Sequence, residues 1–259
     1  MMNKKDLVKE QFDKHARQFS SWVGTKSEWA LRQLYDFIGF SENDSLLDVA
    51  CGSGNFAAFC AQRISSVHGV DISHKMIELA QNLVEELDIK NLEFLCHDVA
   101  NLPFAEGRFS VVTSRSAFHH MEDYGKVFNE MVRCCGDKGL LCVNDITDYG
   151  DPYVSAFFDR FDRTIDISHC ARVSSESIRT LFSSNGIEVL KEGDEEFEID
   201  VTLYASHVLQ SESTREKIDH IIEEGLRDLR VSKFLYKKDG TIMFRNRSFR
   251  ILGRKQSDT

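Results

Sequence analysis

Apolar residues recur along the chain with two different spacings, and the two alternate. Short continuous apolar runs, which are typical of buried strands, are followed by stretches in which apolar residues return every three or four positions, as Phe56, Cys60 and Ile64 do. The runs that predict strands cover residues 46–50, 67–72, 92–96, 109–114 and 140–145. Strands that alternate with helices in this way predict an α/β fold with a doubly wound, mostly parallel, Rossmann-like sheet.

Segments before and after these strands extend the predicted fold. Helical spacing at 4–20 and 26–39 predicts helices ahead of the first strand. A sixth strand is expected at 187–192, and the Asp-Gly pair at 239–240 is a hairpin signal before a closing strand at 242–252. The prediction is therefore a seven-stranded sheet with an antiparallel edge strand.

Composition narrows the classes of partner. The chain has 32 basic and 42 acidic residues, a net charge of −10, so nucleic acid is not an expected partner. The basic residues that do cluster, at 245–255, are spaced among apolar ones and are expected to be solvated on an edge strand. Because no apolar run approaches ~20 residues, we expect no membrane span.

The cysteines indicate the compartment. There are seven, an odd number, with no C-x-x-C pair and no histidine spacing suited to zinc. We therefore expect free thiols, no metal site and a reducing cytoplasm. The N-terminus leads into an amphipathic helix without an apolar signal core, which favours the same location.

The candidate chemistry begins at the turn after the first strand, where Gly52 and Gly54 allow positive φ and a ligand can approach the bare backbone. The turn also fits the dinucleotide fingerprint, with Ala57 in the third position, so it does not decide between ligands. Asp48, at the end of the strand, would repel a pyrophosphate and attract an ammonium or a sulfonium. It favours a ligand with a cationic group.

This stretch resembles motif I of the S-adenosylmethionine-dependent methyltransferases, and the likeness continues along the chain. Leu102-Pro103-Phe104, followed by a predicted turn at Glu106-Gly107, is similar to a sequence pattern common in that family. Residues 166–172 resemble a segment of the ubiquinone and menaquinone C-methyltransferases. The resemblance implies a class I methyltransferase of the small-molecule type, with S-adenosylmethionine as cofactor.

Two more acids follow strands. Asp71 ends the second strand, where a carboxylate can accept hydrogen bonds from both ribose hydroxyls of NAD or S-adenosylmethionine alike. Asp98 and Val99 follow the third strand, and the resemblance implies that they bind adenine. The predicted cofactor-binding residues are Phe19, Asp48, Ala50, Gly52, Ser53, Gly54, Asn55, Asp71, Ile72, Met76, Asp98, Val99 and Ser114.

The acceptor side is less well defined. His119 and His120 follow the fourth strand and His169 lies in the later insertion; each is a candidate general base, and each is equally a candidate for a structural role. The residues expected to bind the acceptor are Arg115, Asp145, Tyr149 and Arg172. The sequence does not identify the acceptor or the atom that is methylated.

We expect one domain over residues 1–259, because no repeat, low-complexity tract or linker divides the chain. Its expected parts are an N-terminal helical lid at 1–42, a cofactor-binding core at 43–192, an acceptor-pocket insertion at 150–172 and a helical insertion at 194–238. The insertion at 194–238 can be interpreted in two ways, as a cover over the acceptor or as a homodimer contact.

The function expected is methyl transfer to a small molecule. An NAD-dependent oxidoreductase would share the turn and Asp71 but leave Asp48 and Asp98 without a role. A regulatory protein that binds S-adenosylmethionine without catalysis would keep all three acids. A protein or RNA methyltransferase would need a docking surface that this acidic chain does not display.

Overall fold

The computed structural model describes residues 3–257, in which helices and strands alternate as expected. The α-helices are α1 (Lys4–Ser21), α2 (Val23–Lys26), α3 (Glu28–Ile38), α4 (Asn55–Ala61), α5 (His74–Glu86), α6 (Tyr124–Cys134), α7 (Pro152–Ile165), α8 (Ser175–Ser184), α9 (Val201–Ala205) and α10 (Glu212–Arg227). The strands are β1 (Ser45–Val49), β2 (Ser66–Asp71), β3 (Leu92–Cys96), β4 (Phe109–Arg115), β5 (Cys135–Ile146), β6 (Ile187–Asp200), β7 (Leu235–Lys238) and β8 (Thr241–Lys255). Within the same residues, no helix is both long and apolar enough to cross a membrane.

The strands form one sheet in the order β3-β2-β1-β4-β5-β8-β6, with the short β7 paired to β8. The first five strands in this order are parallel, whereas β8 is antiparallel to both β5 and β6. The predicted doubly wound, mostly parallel sheet is confirmed, and its antiparallel pairing is confined to one edge region. Within that region β8 lies one place in from the edge, and β6 is the outermost strand.

The central strands are apolar on both faces because helices cover both. Leu46 and Val111 point into one apolar cluster, and Leu47 and Val112 point into the other; all four are fully buried. Such continuous apolar runs are what a parallel sheet buried on both faces requires. The polar residues at the carboxyl ends of these strands therefore collect along one edge, where β1 separates β2 from β4 and the order reverses.

β6 is longer than the sequence predicts. It continues to Asp200 because it pairs with β8 along almost its whole length. Arg247 of β8 lies 3.5 Å from Glu196, and Arg250 pairs with Glu195. The expectation that these arginines are solvated is therefore wrong, since the acids of β6 neutralise them.

The segment after β5 is fastened to the sheet by a buried ion pair. Arg172 Nε donates to Asp162 of α7 at 2.9 Å, and Arg172 Nη1 donates to Asn246 of β8 at 2.7 Å. The same guanidinium lies 5.1 Å from the ring centre of Tyr149. Around this pair, side chains of α7, α9, α10 and β7 form a third apolar cluster.

Loss of this pair should destabilise the fold. Arg172→Leu leaves the buried Asp162 without its main partner, so we expect the free energy of unfolding to fall by about 3–5 kcal/mol in chemical denaturation. Arg160→Leu is a matched control on α7, because its pair with Glu224 is about half exposed. Its cost should stay below ~1 kcal/mol, and equal costs for the two variants would contradict this role of Arg172.

Candidate active site

A cavity of about 850 Å³ opens at the carboxyl ends of β1, β2, β4 and β5. Its size is within the range of small-molecule and cofactor sites. Its walls include the glycine turn, the ends of these strands, α1 and parts of both insertions. Most of the residues predicted to carry chemistry therefore surround one space.

The two glycines of the turn have different roles. Gly52 (φ +55°) lines the cavity, and a Cβ placed there would meet no atom within 4 Å. Gly54 (φ +76°) does not line it, and a Cβ there would lie 2.3 Å from the ring of Phe94. Only the first of these glycines keeps space open for a ligand, whereas Gly54, predicted as cofactor-binding, lets α4 pack on β3. Ala50, Ser53 and Asn55, which are also predicted to bind the cofactor, line the cavity.

Asp71 ties this turn to the end of β2. Its Oδ2 accepts the Gly52 N–H at 2.8 Å and its Oδ1 accepts the Ser73 N–H at 2.9 Å. Burial raises the pKa of Asp71, and the hydrogen bonds from the backbone oppose that rise. Asp71 and the adjacent Ile72 both line the cavity, so the carboxylate can accept further hydrogen bonds with its remaining lone pairs.

Asp48 lies beneath the turn and is 2% exposed. Burial raises its pKa to about 7, and the Thr113 hydroxyl, 3.1 Å away, and the charge of Arg115 lower it in part. Arg115 also lines the cavity, and its Nη2 donates to the Gly24 carbonyl at 2.6 Å. Arg115 is predicted to bind the acceptor. Its placement also puts it near Asp48, where the methionine end of the cofactor is expected.

The far end of the cavity combines one acid with apolar side chains. Burial would raise the pKa of Asp98, but the Lys5 ammonium at 2.7 Å and the Ala100 N–H lower it below its usual value. Met76 and Phe19 pack in one apolar cluster and line the cavity, as Val99 does. Lys5 of α1 thus forms an ion pair with the same carboxylate that is expected to bind adenine.

Ser114 does not line the cavity. It is 2% exposed, and its Oγ has no hydrogen-bond partner among residues 3–257. The structure does not support the predicted cofactor contact of Ser114, because its side chain is buried outside the cavity.

His119 and Asp145 form a buried pair at the cavity wall. Asp145 accepts hydrogen bonds from His119 Nδ1 and from the Ala117 and Phe118 amides, the last two at 2.8 and 2.7 Å. Burial would raise the pKa of Asp145, but His119 and these amides lower it, so the acid is ionised. His119 therefore donates from Nδ1. Asp145, predicted to bind the acceptor, lines the cavity and also orients this histidine.

His120 is held by a second acid through a serine. Ser168 Oγ lies 2.9 Å from His120 Nδ1 and donates to Asp166 at 2.6 Å. Sequence reasoning did not single out Ser168 and Asp166. The spacing D-x-S just before His169 was the signal that could have identified them, because an Asp side chain often accepts the backbone N–H of the residue two positions later. Asp166 accepts the Ser168 N–H in this way at 2.8 Å.

His169 lines the cavity, but its Nε2 lies 3.1 Å from Asp159 and 3.9 Å from Asp162. These three side chains lie close enough together for a metal ion, yet Arg172 already donates its backbone N–H to Asp159 and its side-chain Nε to Asp162. A guanidinium thus occupies the cationic position in this cluster.

Tyr149 and Arg172 lie behind the cavity wall and do not line it. The Tyr149 hydroxyl donates to the Arg245 carbonyl at 2.8 Å, and its ring stacks on Phe158 at 4.3 Å. Their predicted contact with an acceptor is therefore not compatible with the structure. Both side chains are engaged in joining the 150–172 segment to β8.

The residues present fit S-adenosylmethionine. The open face over Gly52 leaves room for a ligand against the backbone, and Asp48 and Asp71 are the cavity acids beside it. The cofactor carries an ammonium and a cationic sulfur for the first acid and ribose hydroxyls for the second. The apolar wall of Met76 and Phe19 suits its adenine.

Alanine substitutions should separate the two glycines. Gly52→Ala costs about 1–2 kcal/mol of backbone strain and fills the open space, so S-adenosylhomocysteine should bind at least about tenfold more weakly. Gly54→Ala adds a clash with Phe94, and we expect it to lower the free energy of unfolding by about 2–5 kcal/mol. Denaturation and calorimetric titration measure both; unchanged binding by Gly52→Ala would contradict the assignment.

Cofactor binding should release protons through Asp48. Because its pKa is about 7, part of this carboxyl is protonated near neutral pH, and a bound ammonium favours the ionised form. The affinity for S-adenosylhomocysteine should therefore rise as pH increases through 7. Calorimetry in two buffers of different ionisation enthalpy measures the released protons.

Two variants control for other groups that titrate. Asp48→Asn should lose this component of the proton release. Thr113→Val removes a hydrogen bond that lowers the pKa, so its affinity curve should move to higher pH. Equal proton release by the wild type and Asp48→Asn would rule out Asp48 as the source.

Known proteins are similar to this chain both in sequence and in fold. Residues 47–143 match the family described as "Methyltransferase domain". The uncharacterized methyltransferase YcgJ of Bacillus subtilis (strain 168) is 29% identical over 140 residues, which are 54% of this chain and 55% of that protein. A demethylmenaquinone methyltransferase of Listeria welshimeri is 28% identical over 124 residues, 47% of this chain and 52% of its own. The chain thus spans about half the length of these curated relatives.

Solved structures match over more of the chain. The crystal structure of YcgJ from Bacillus subtilis has a TM-score of 0.78 at 21% identity and covers 89% of this chain and 99% of its own. The Bacillus halodurans protein BH2331 has a TM-score of 0.82 at 21% identity, with 88% and 99% covered. Residues 47–143 therefore match a methyltransferase domain, and the chain shares the fold of these two solved structures.

Proposed function

We propose that this protein transfers a methyl group from S-adenosylmethionine to a small-molecule acceptor. The observation that carries the proposal is the composition of one cavity wall: the glycine turn, Asp71 and Asp98 lie at one part of it, and the His119–Asp145 pair lies at another. A cofactor and an acceptor can therefore be held side by side.

The cofactor half is assigned from the placement of the acids. Asp48 and the 52–55 turn hold the methionine end, Asp71 accepts the ribose hydroxyls, and Asp98 with the Val99 backbone receives adenine. When bound, S-adenosylmethionine supplies a methyl group on a positively charged sulfur. Asp48 and Asp71 also give this end of the cavity a negative potential that suits the cofactor's positive charge.

The acceptor half is assigned to His119. With Nδ1 donated to Asp145, Nε2 of the neutral ring is the proton acceptor, and the ionised Asp145 stabilises the imidazolium that forms. His119 and His169 both line the cavity and pair with an acid, but the pairing of His119 uses Nδ1 and leaves its Nε2 without a partner among residues 3–257, whereas the pairing of His169 uses Nε2. His169 is engaged by two acids, and we assign it a structural role.

α1 should act as the lid. Its side chains Lys5, Val8, Phe12 and Phe19 line the cavity, and Asp13 of the same helix accepts the Ser73 hydroxyl at 2.6 Å. A covered cavity excludes water, which favours a reaction in which charge disperses, and alignment of the reacting groups contributes roughly 7–11 kcal/mol. The 150–172 and 194–238 segments supply further wall residues and are proposed to close the acceptor side.

A small molecule is the acceptor class that the charges favour. Nucleic acid is disfavoured because the net charge is −10 and Arg247 and Arg250 are paired with acids. By their names, one curated relative acts on demethylmenaquinone and a structural neighbour, with a TM-score of 0.62, methylates geranyl diphosphate, both small molecules. We further propose a cytoplasmic location, since all seven cysteines are free thiols.

Ligand stabilisation tests the cofactor assignment. S-adenosylhomocysteine at a hundredfold over its Kd should raise the free energy of unfolding by ~2.7 kcal/mol, and NAD should leave it unchanged. Asp71→Ala should weaken cofactor binding more than His119→Gln does, whereas His119→Gln should lose methyl transfer from labelled cofactor to a metabolite extract. Stabilisation by NAD alone, or the reverse order of the two variants in calorimetry, would contradict the proposal.

A further inference from the structure

His119 and His120 form a pair of imidazoles at the acceptor side of the cavity. Their ring centres lie 4.1 Å apart with the planes tilted by 43°, and both residues line the cavity. Adjacent rings that are both open to one space can contact the same small molecule. What they offer it depends on which ring nitrogens are already used.

The Nδ1 atoms of both rings are donors, His119 Nδ1 to Asp145 and His120 Nδ1 to the hydroxyl of Ser168. Asp145 is ionised and accepts from His119 Nδ1, as described above. In the second pair, Asp166 accepts the Ser168 N–H at 2.8 Å and the Ser168 hydroxyl at 2.6 Å, so this carboxylate acts as an acceptor. The single hydroxyl proton of Ser168 therefore goes to Asp166, and His120 Nδ1 must donate to Ser168 Oγ.

This arrangement leaves two neighbouring acceptors. Burial lowers the pKa of His120 well below its usual value, so the ring is neutral with a lone pair on Nε2. Among residues 3–257, neither His119 Nε2 nor His120 Nε2 has a hydrogen-bond partner, and neither atom is among the fully buried ones. A ligand with two donors on adjacent atoms would satisfy both nitrogens.

The surroundings suit a flat, apolar body. The Phe12 ring lies 4.9 Å from that of His120 in an edge-to-face contact, and Phe19, Trp22 and Tyr204 also line the cavity. Aromatic walls of this kind favour a planar aromatic ligand. A phenolic hydroxyl, with a pKa near 10, is also a group that an imidazole paired with an acid can deprotonate.

We propose that the acceptor is a vicinal dihydroxy aromatic, that is, a catechol, whose two hydroxyls donate to Nε2 of His119 and Nε2 of His120. This inference rests on the proposed function and deepens it. His120 acts here as a substrate-binding residue, and Ser168 and Asp166 are positioning residues that fix its tautomer.

The reaction balances as an O-methylation. The hydroxyl on His119 loses its proton to Nε2, and its oxygen forms a bond to the methyl carbon as the carbon–sulfur bond breaks with its electron pair passing to sulfur. The products are a monomethyl ether, S-adenosylhomocysteine and a protonated His119 beside Asp145. The second hydroxyl stays on His120 unchanged, so a single methylation is expected.

Binding to protein saturated with S-adenosylhomocysteine tests the inference. The probes are catechol, phenol, 1,3-dihydroxybenzene and benzylamine, with dissociation constants from ligand-observed NMR. We expect catechol to bind about tenfold more tightly than phenol, because phenol leaves one buried acceptor without a donor. 1,3-Dihydroxybenzene should bind more weakly than catechol, since its hydroxyls are not on adjacent carbon atoms.

Three variants assign the effect to His120. His120→Phe keeps a ring but removes both nitrogens, so catechol should fall to the affinity of phenol while phenol is unchanged. Ser168→Ala releases the tautomer and should lose part of the preference; it also serves if His120→Phe does not fold, as judged by binding of S-adenosylhomocysteine. His220→Gln, on the exposed face of α10, should behave as the wild type.

The outcomes separate this inference from the proposed function. Equal binding of catechol and phenol, tighter binding of benzylamine, or no binding of any probe overturns the catechol assignment, as does a His120→Phe variant that keeps the preference. If S-adenosylhomocysteine itself does not bind, the proposed function fails as well. If it binds and labelled methyl groups reach acceptors of another class, only the catechol assignment fails.

Discussion

The site depends above all on the hydrogen bonds of one carboxylate. Asp71 accepts the N–H of Gly52 with one oxygen and that of Ser73 with the other, at 2.8 and 2.9 Å, so it joins the turn after β1 to the start of α5. Ser73 in turn caps α5, because its hydroxyl oxygen accepts the Met76 N–H. The same hydroxyl donates to Asp13 of α1, so the orientation of the Ser73 side chain is fixed. A single acid at a strand end thus sets the glycine turn, an adjacent helix and the covering helix relative to one another.

The same residue type serves different purposes at neighbouring strand ends because its partners differ. Burial raises the pKa of Asp48 to about 7, since one hydroxyl and a nearby guanidinium only partly offset the loss of water. Asp145 is equally buried, yet its pKa is lowered because a histidine and two amides face it. The first acid is therefore suited to respond to a cationic ligand, and the second is suited to hold a histidine in one tautomer.

The sequence predicts the parts of this molecule that local pattern determines. Strand and helix positions follow from spacing, and the convergence of Asp48, Asp71 and Asp98 follows because parallel strands end at one edge. The sequence does not predict which way the side chains after β5 point. Tyr149 and Arg172 lie behind the cavity wall because their hydrogen-bond partners are on β8, 96 residues after Tyr149 and 74 residues after Arg172. The length of β6 and the Ser168–Asp166 link to His120 likewise depend on contacts between distant segments.

The central claim is that the acids at the strand ends form a binding site for S-adenosylmethionine. A crystal structure of the protein with S-adenosylhomocysteine tests it most directly. We expect the ribose hydroxyls to lie within about 2.6–3.2 Å of the Asp71 carboxylate, the methionine end to lie against Gly52, and adenine to lie beside Asp98 and Met76. A ligand bound elsewhere, or bound in this cavity with its ribose away from Asp71, would contradict it.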